Sequence, residues 1–136
     1  MILQEIPIVE VLALRQKVLW PDKDIDFVRT PNDDTGIHFG IFLEDQWISC
    51  VSIFEEEHQR AVFRKFATLL DFQGKGYGSH LLEYSFLYLQ QRNCKTVYCS
   101  ARVEKQGFYK KFGMIPKGEM YLKNGLNYIQ MERDFE

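Results

Sequence analysis

The stretch TLLDFQGKGYGSHLLEYSFLYLQQ, residues 68–91, places three glycines on alternate positions (Gly74, Gly76, Gly78) between an apolar run and a long amphipathic segment. Behind them Leu81, Leu82, Ser85, Phe86 and Leu89 recur at helical spacing, which predicts a helix with one buried face that stops around Asn93. The start of a helix leaves backbone N–H groups without intrahelical partners and carries the positive end of the macrodipole. Glycines let a bulky anion approach those groups closely. An anion site is one reading of the loop; an ordinary glycine turn is the other.

Three anion-binding patterns do not fit. A Walker loop needs Gly-Lys followed by Ser or Thr after four spacer residues, but Lys75 lies between Gly74 and Gly76, and Ser79 follows Gly78. A dinucleotide fingerprint needs G-x-G-x-x-G in a first βα unit with an acidic residue about twenty positions later. Here the spacing is G-x-G-x-G and the later region reads VYCS. A kinase glycine loop would need a catalytic Asp loop and Asp-Phe-Gly, and the chain has neither.

Working outward, Pro7 suits the first turn of a helix. Ile8, Val11, Leu12, Val18 and Leu19 follow at helical spacing, so residues 7–19 read as an amphipathic helix ending near Trp20-Pro21. The segment PDKDIDFVRTPNDDTG reads as a long loop. IHFGIFLE and WISCVSIFE flank a polar link at Asp45-Gln46, and AVFRKFATLL follows the turn EEEHQR, which predicts an antiparallel meander of three strands. KTVYCSA reads as a buried strand, and EKQGFYKKFG as a short helix with Gly113 just past its end. MYLKNGLNYIQMER carries Asn124-Gly125 between alternating runs, a strong hairpin signal.

The 136 residues match the size of one domain, 1–136, able to bury a core without staples. A net charge of −2 gives no global footprint for nucleic acid. The three cysteines show no CxxC spacing, so neither a disulfide framework nor a zinc site is expected, and a reducing cytoplasm fits. No apolar run approaches the roughly 18–20 residues of a membrane span. Adjacent positions in the turn EEEH point in different directions, so no metal site is expected there.

The run Q-G-K-G-Y-G-S resembles the acyl-CoA loop of the GNAT superfamily of N-acetyltransferases, whose pattern is Gln/Arg-x-x-Gly-x-Gly/Ala; Gln73, Gly76 and Gly78 match it, and Gly74 is an extra glycine. RKFATLLDFQGKGYGSHLL is similar to that family's fourth strand, loop and following helix, and GFYKKFGM to its F-Y-x-x-x-G-F/M segment. LRQKVLWPDKDID resembles the small ElaA-like branch. The resemblance implies an α/β (α+β) fold: a central, mostly antiparallel twisted sheet, splayed between its fourth and fifth strands and flanked by helices.

The resemblance further implies acetyl-CoA as cofactor, with coenzyme A as product. Its pantetheine arm would run along Phe66, Ala67 and Thr68, and its pyrophosphate would sit over the amides of Gln73, Gly74, Lys75, Gly76, Tyr77, Gly78 and Ser79. The Gln73 and Lys75 side chains would add polar contacts, and Phe108 would pack against the cofactor or the core. Tyr109, at the start of the last helix, would be the acid that meets the departing thiolate. The implied reaction is acetyl transfer to a primary amine by direct attack in a ternary complex. The acceptor would be a small molecule or a peptidyl amine, and the protein a cytoplasmic monomer or homodimer without nucleic-acid or membrane partners. The alternative is a non-catalytic acyl-CoA sensor.

Several positions depart from the family pattern. Where members commonly carry Asn seven residues before the Tyr, this chain has Arg102; where ElaA-like hairpins show His before an Ile, it has Tyr128 before Ile129. AVFRKFATLL holds no carboxylate to act as base, leaving Glu55, Glu56, Glu57, Glu119 and His38 as distant candidates, or a water relay. The acidic loop Asp22, Asp24, Asp26, Asp33 and Asp34 reads as a solvated surface or as an attractor for a cationic amine. Arg15 interrupts the apolar face of the first helix and is expected to pair with one of those aspartates. Cys50 and Cys99 read as small core residues.

Overall fold

A computed structural model describes residues 1–135. Among these residues seven strands, β1 (Ile2–Glu5), β2 (Ile37–Leu43), β3 (Gln46–Glu56), β4 (Arg60–Thr68), β5 (Thr96–Arg102), β6 (Ile115–Lys123) and β7 (Leu126–Asp134), form one sheet in the order β1-β2-β3-β4-β5-β7-β6. The predicted three-stranded meander is β2 (Ile37–Leu43), β3 (Gln46–Glu56) and β4 (Arg60–Thr68), all antiparallel. The β2–β3 turn is Glu44-Asp45, both at positive φ (52° and 62°), one residue earlier than the predicted link.

β1 (Ile2–Glu5) is a strand that periodicity does not reveal. It has four largely exposed residues, and its existence rests on pairing with the edge of β2, a contact made across more than thirty positions of chain. A segment this short carries too little alternation to declare itself.

Helix α1 (Ile8–Leu19) starts after Pro7 and stops where Trp20 N–H bonds back to the Arg15 carbonyl, just ahead of Pro21. Its buried side chains are Val11, Leu12, Leu14 and Arg15, whereas Ile8 is exposed. The inward face is therefore rotated toward the arginine. Helix α2 (Tyr77–Gln91) buries Leu81, Leu82, Ser85, Phe86 and Leu89, the face read from periodicity. Full burial of a leucine such as Leu81, Leu82 or Leu89 contributes about 1.5–3 kcal/mol each.

The two helices lie on opposite faces of the sheet. His38 pairs in register with Ser52, and Ser52 accepts from Arg15 of α1. The next residue, Phe39, packs edge-on against Tyr84 and Tyr88 of α2. Successive strand residues point to opposite faces.

Past α2 come β5 (Thr96–Arg102), a 3-10 turn at Val103–Lys105 and a short α3 (Gln106–Lys110) closed by Gly113 at φ 81°. The final hairpin is β6 (Ile115–Lys123) and β7 (Leu126–Asp134), turning at Asn124 and Gly125 with φ of 53° and 79°, as the Asn-Gly signal predicts.

The splay forms where the sheet's one parallel pair gives out. β4 and β5 pair only at Arg60↔Thr96, Ala61↔Val97 and Val62↔Tyr98, so Phe63–Thr68 have no strand on that side. A bulge in β4 accompanies the separation. Ser52 faces Arg64 and Cys50 faces Ala67, leaving two residues opposite Val51, with Lys65 at φ 57°. A bulge bends its strand and strengthens the local twist, which turns the second half of β4 away from β5.

Candidate active site

Leu69 donates its N–H to the Ile48 carbonyl of β3. By alternation, Ala67 directs its backbone groups toward β3, and Phe66 and Thr68 direct theirs into the gap. The expected segment Phe66-Ala67-Thr68 thus presents two of its three residues to the opening. The Thr68 carbonyl already accepts from Gln73 Nε2 at 2.8 Å. Gln73 is therefore a strut tying the glycine loop to β4 rather than a free phosphate ligand.

The glycines play different roles. Gly74 and Gly76 have φ of 73° and 89°, and a Cβ at either would meet nothing within 4 Å. Backbone conformation, not crowding, demands glycine there, and the space above both is open. Gly76 is the N-cap of α2 and supplies no side-chain cap. The first bond of the helix runs from His80 N–H to the Gly76 carbonyl, and among the described residues no backbone carbonyl accepts from the amides of residues 74–79. Gly78 is helical, and its Cβ would lie 3.3 Å from the Phe66 ring. It lets β4 approach the first turn of α2. Lys75 extends over the Phe72 ring at 5.9 Å, Tyr77 stands 6.1 Å from the same ring, and neither is buried.

On the same face, Phe66 meets Phe108 edge-on at 6.0 Å, and Phe108 contacts Tyr109 at 5.2 Å. The Tyr109 ring lies 5.9 Å from Phe63 of β4. Burial, reinforced by the nearby Cys99 of β5, pushes its hydroxyl well above the ordinary tyrosine range. Tyr109 therefore stands between the diverging strands as a protonated donor. It sits near the end of α3, not at the start as the resemblance implied, because Val103–Lys105 wind as a 3-10 turn and leave α3 only five residues.

Residues 7–114 match the Acetyltransferase (GNAT) family. The chain belongs to that family. Solved GNAT-type structures share its fold. A Lactobacillus plantarum protein assigned as an N-acetyltransferase superposes with TM-score 0.87 at 20% identity, covering 99% of this chain and 97% of the other. Escherichia coli ElaA gives 0.72 at 23% identity, covering 93% and 88%. A Bacillus subtilis acetyltransferase crystallised with CoA gives 0.76 at 16% identity, covering 99% and 97%. A search of curated proteins finds no matching sequence. The chain is an acyltransferase by family, with the fold expected of a GNAT protein.

Within this GNAT fold the other face of the sheet holds a buried polar network among apolar side chains. Arg15 is fully buried and donates to the Val28 carbonyl (2.8 Å), both oxygens of Asp33 (2.9 Å each) and Ser52 Oγ (2.8 Å). His38 closes the network, its Nε2–H donating to the Asp33 carbonyl (2.8 Å) and Nδ1 facing Ser52 Oγ (2.7 Å). A carbonyl only accepts, so Nε2 carries the proton. Asp33 is the aspartate that Arg15 was expected to find. The shares of Ser52 and His38 are tertiary, signalled in the chain only by a charge on an apolar helix face.

Three of the five base candidates are engaged elsewhere, and Glu57 and Glu119 are exposed. Glu55 accepts from Arg92 at 2.8 Å, Glu56 from the Tyr98 hydroxyl at 2.7 Å, and His38 is held in the Arg15 network. Of the acidic loop, Asp33 is bound to Arg15, Asp26 pairs with Arg29 at 3.0 Å, and Asp24 caps the 3-10 turn at Phe27. Among the described residues no three metal-ligating side chains converge, and no helix is long and apolar enough to cross a membrane.

Proposed function

We propose that this GNAT chain is a single-domain, cytoplasmic, acetyl-CoA-dependent N-acetyltransferase that acts on a primary amine by direct attack within a ternary complex, as a monomer or homodimer. The observation that carries the reading is the coincidence, at one end of the sheet, of three features: a six-residue free edge of β4, a left-handed glycine start to α2, and a protonated Tyr109 between the strands. The open space over Gly74 and Gly76 fits a bulky anion.

Acetyl-CoA supplies the activated acyl group as a thioester. Phe66 would hold its amide-bearing arm through its backbone groups in the gap, with the Thr68 N–H beside them, the Thr68 carbonyl being taken by Gln73. The amides of residues 74–79 and the positive end of α2 would hold its pyrophosphate. Gly78 and the Phe66–Phe108 pair keep β4 seated against α2. Tyr109 keeps its proton until the sulfur departs, and then meets it as an O–H donor.

A tighter test than binding alone is the Tyr109→Phe variant. Its expected signature is a fall in kcat on the order of 10²-fold or more with acetyl-CoA affinity retained. Rates near wild type with any accepted amine would reduce Tyr109 to packing. Acetyl-CoA binding without amine-dependent thiol release across a broad amine panel would favour the sensor reading.

A further inference from the structure

The bulge in β4 does more than open the cofactor gap. Arg64 pairs with Ser52 and so lies on the α1 face, and Phe66 lies on the α2 face against Phe108. The extra residue between them, Lys65, has a left-handed backbone and lies within electrostatic reach of Arg15, Arg64 and Asp33 on the α1 side. Two cations therefore emerge side by side where β4 leaves β5. Across the gap, that face of the far half-sheet carries Arg102 and Tyr128, which are paired in register, with Tyr121 stacked on Tyr128 at 6.0 Å. Lys123 ends the same hairpin strand.

The charges here do not balance. Lys65 is half-buried, and burial first, then the positive charges of Lys123, Arg15 and Arg64, hold its ammonium below the ordinary lysine range against the opposing charge of Asp33. Among the described residues, none of Arg64, Lys65, Arg102 and Lys123 forms an ion pair. Two of the carboxylates nearby are committed. Asp33 receives both Arg15 nitrogens and the Thr30 amide and hydroxyl, and Glu132 is held by Arg60 at 3.2 Å. Glu119 is exposed, in the bulged stretch of β6 between Lys117 and Tyr121. A half-buried cation with cationic neighbours, whose nearby acid Asp33 is already taken by Arg15 and Thr30, is a site that an anion completes.

Resting on the acetyltransferase reading, we propose that the acceptor is a small primary amine that also bears an anionic group, and that Lys65, with Arg64 and Lys123, receives that group. The same cations disfavour a protonated amine next to them, so they help deliver the neutral nucleophile at a strand edge, Phe63–Thr68, that carries no carboxylate. Polyamines, with a second positive charge in place of the anion, are the disfavoured acceptors.

The test is a length-matched acceptor set: an ω-amino carboxylate, its amide, the corresponding diamine and an amino-alkyl phosphate, assayed by thiol release from acetyl-CoA. Wild type is expected to use the carboxylate or the phosphate at least tenfold more efficiently in kcat/KM than the amide, with the diamine slowest, and those two arms identify which anion is preferred. Lys65→Gln should collapse the preference through KM, Lys65→Arg should keep it, and acetyl-CoA affinity by calorimetry should be the same in both. An amide or diamine used as well as the acids, or a preference that survives Lys65→Gln, overturns the inference and leaves the acetyltransferase reading standing. If acetyl-CoA itself does not bind, both fall. If it binds but no member of the set turns over, titration of the CoA complex with the N-acetylated acid and its amide decides, and equal affinities overturn the proposal.

Discussion

Replacing Arg15 with leucine removes a buried side chain that makes four hydrogen bonds and puts an apolar one in its place. Arg15 is fully buried and makes four hydrogen bonds, to Val28, twice to Asp33 and to Ser52. Leucine would leave the Asp33 carboxylate with only the Thr30 donors, and the Val28 carbonyl and Ser52 hydroxyl short of a partner. Breaking a buried pair from one side costs about 3–5 kcal/mol, which for a chain of this length lowers Tm by roughly 10–20 °C.

The pH dependence isolates the charge. Burial alone would raise the Asp33 pKa, but the Arg15 and Thr30 hydrogen bonds and the Arg15 charge outweigh it and hold the group at about 2, below its ordinary 3.8. A carboxylate depressed on folding stabilises the native state above its unfolded value, and that contribution is lost as pH falls from about 4 through about 2. The difference is worth about 2 kcal/mol. Urea unfolding of wild type and Arg15→Leu should therefore differ most near neutral pH and converge toward pH 2. The double variant Arg15→Met/Asp33→Asn should lose clearly less than the sum of its parts. A loss below about 1 kcal/mol for Arg15→Leu, or a gap that stays constant with pH, would refute the reasoning.

The glycine loop and the thiols offer further checks. Gly76→Ala forces a β-carbon into φ 89°, at a cost of about 1–2 kcal/mol, and should weaken acetyl-CoA binding about tenfold in a calorimetric titration. Gly76→Asn, which tolerates that region better, should weaken it less; equal affinities for all three proteins would mean the left-handed start does not shape the cradle. Gly78→Val pushes on the Phe66 ring from 3.3 Å and should cost about 1–3 kcal/mol of stability as well as cofactor affinity. Unchanged melting and binding would count against the packing described. Cys94 is half-exposed, whereas burial pushes Cys50 and Cys99 up to about 12, with the Arg15 charge opposing it only weakly at Cys50. Alkylation followed by mass spectrometry should modify Cys94 first, and early labelling of Cys50 or Cys99 would contradict the core assignment.

Much of this was readable in the chain because the signals are local. The face of α2, the Asn124-Gly125 hairpin and the glycine-led helix start each arise within a few residues of backbone, where periodicity and φ preference act directly. Positions such as Gly78 and Gln73 were legible as members of a motif and not in their duties. One admits the Phe66 ring and the other bonds to the Thr68 carbonyl, and both partners lie on a neighbouring strand.

Local chain chemistry thus indicated the two long helices, the three-stranded meander, the final hairpin and the left-handed glycine start of α2. Pairing across the sheet settled everything that depends on distance. It added β1 to an edge, parted β4 from β5 after three residues, set a bulge in β4 at Lys65, and buried Arg15 among Asp33, Ser52 and Val28. The physical reason is that hydrogen-bond register and charge balance are properties of residues far apart in the chain, and no window of sequence contains both partners.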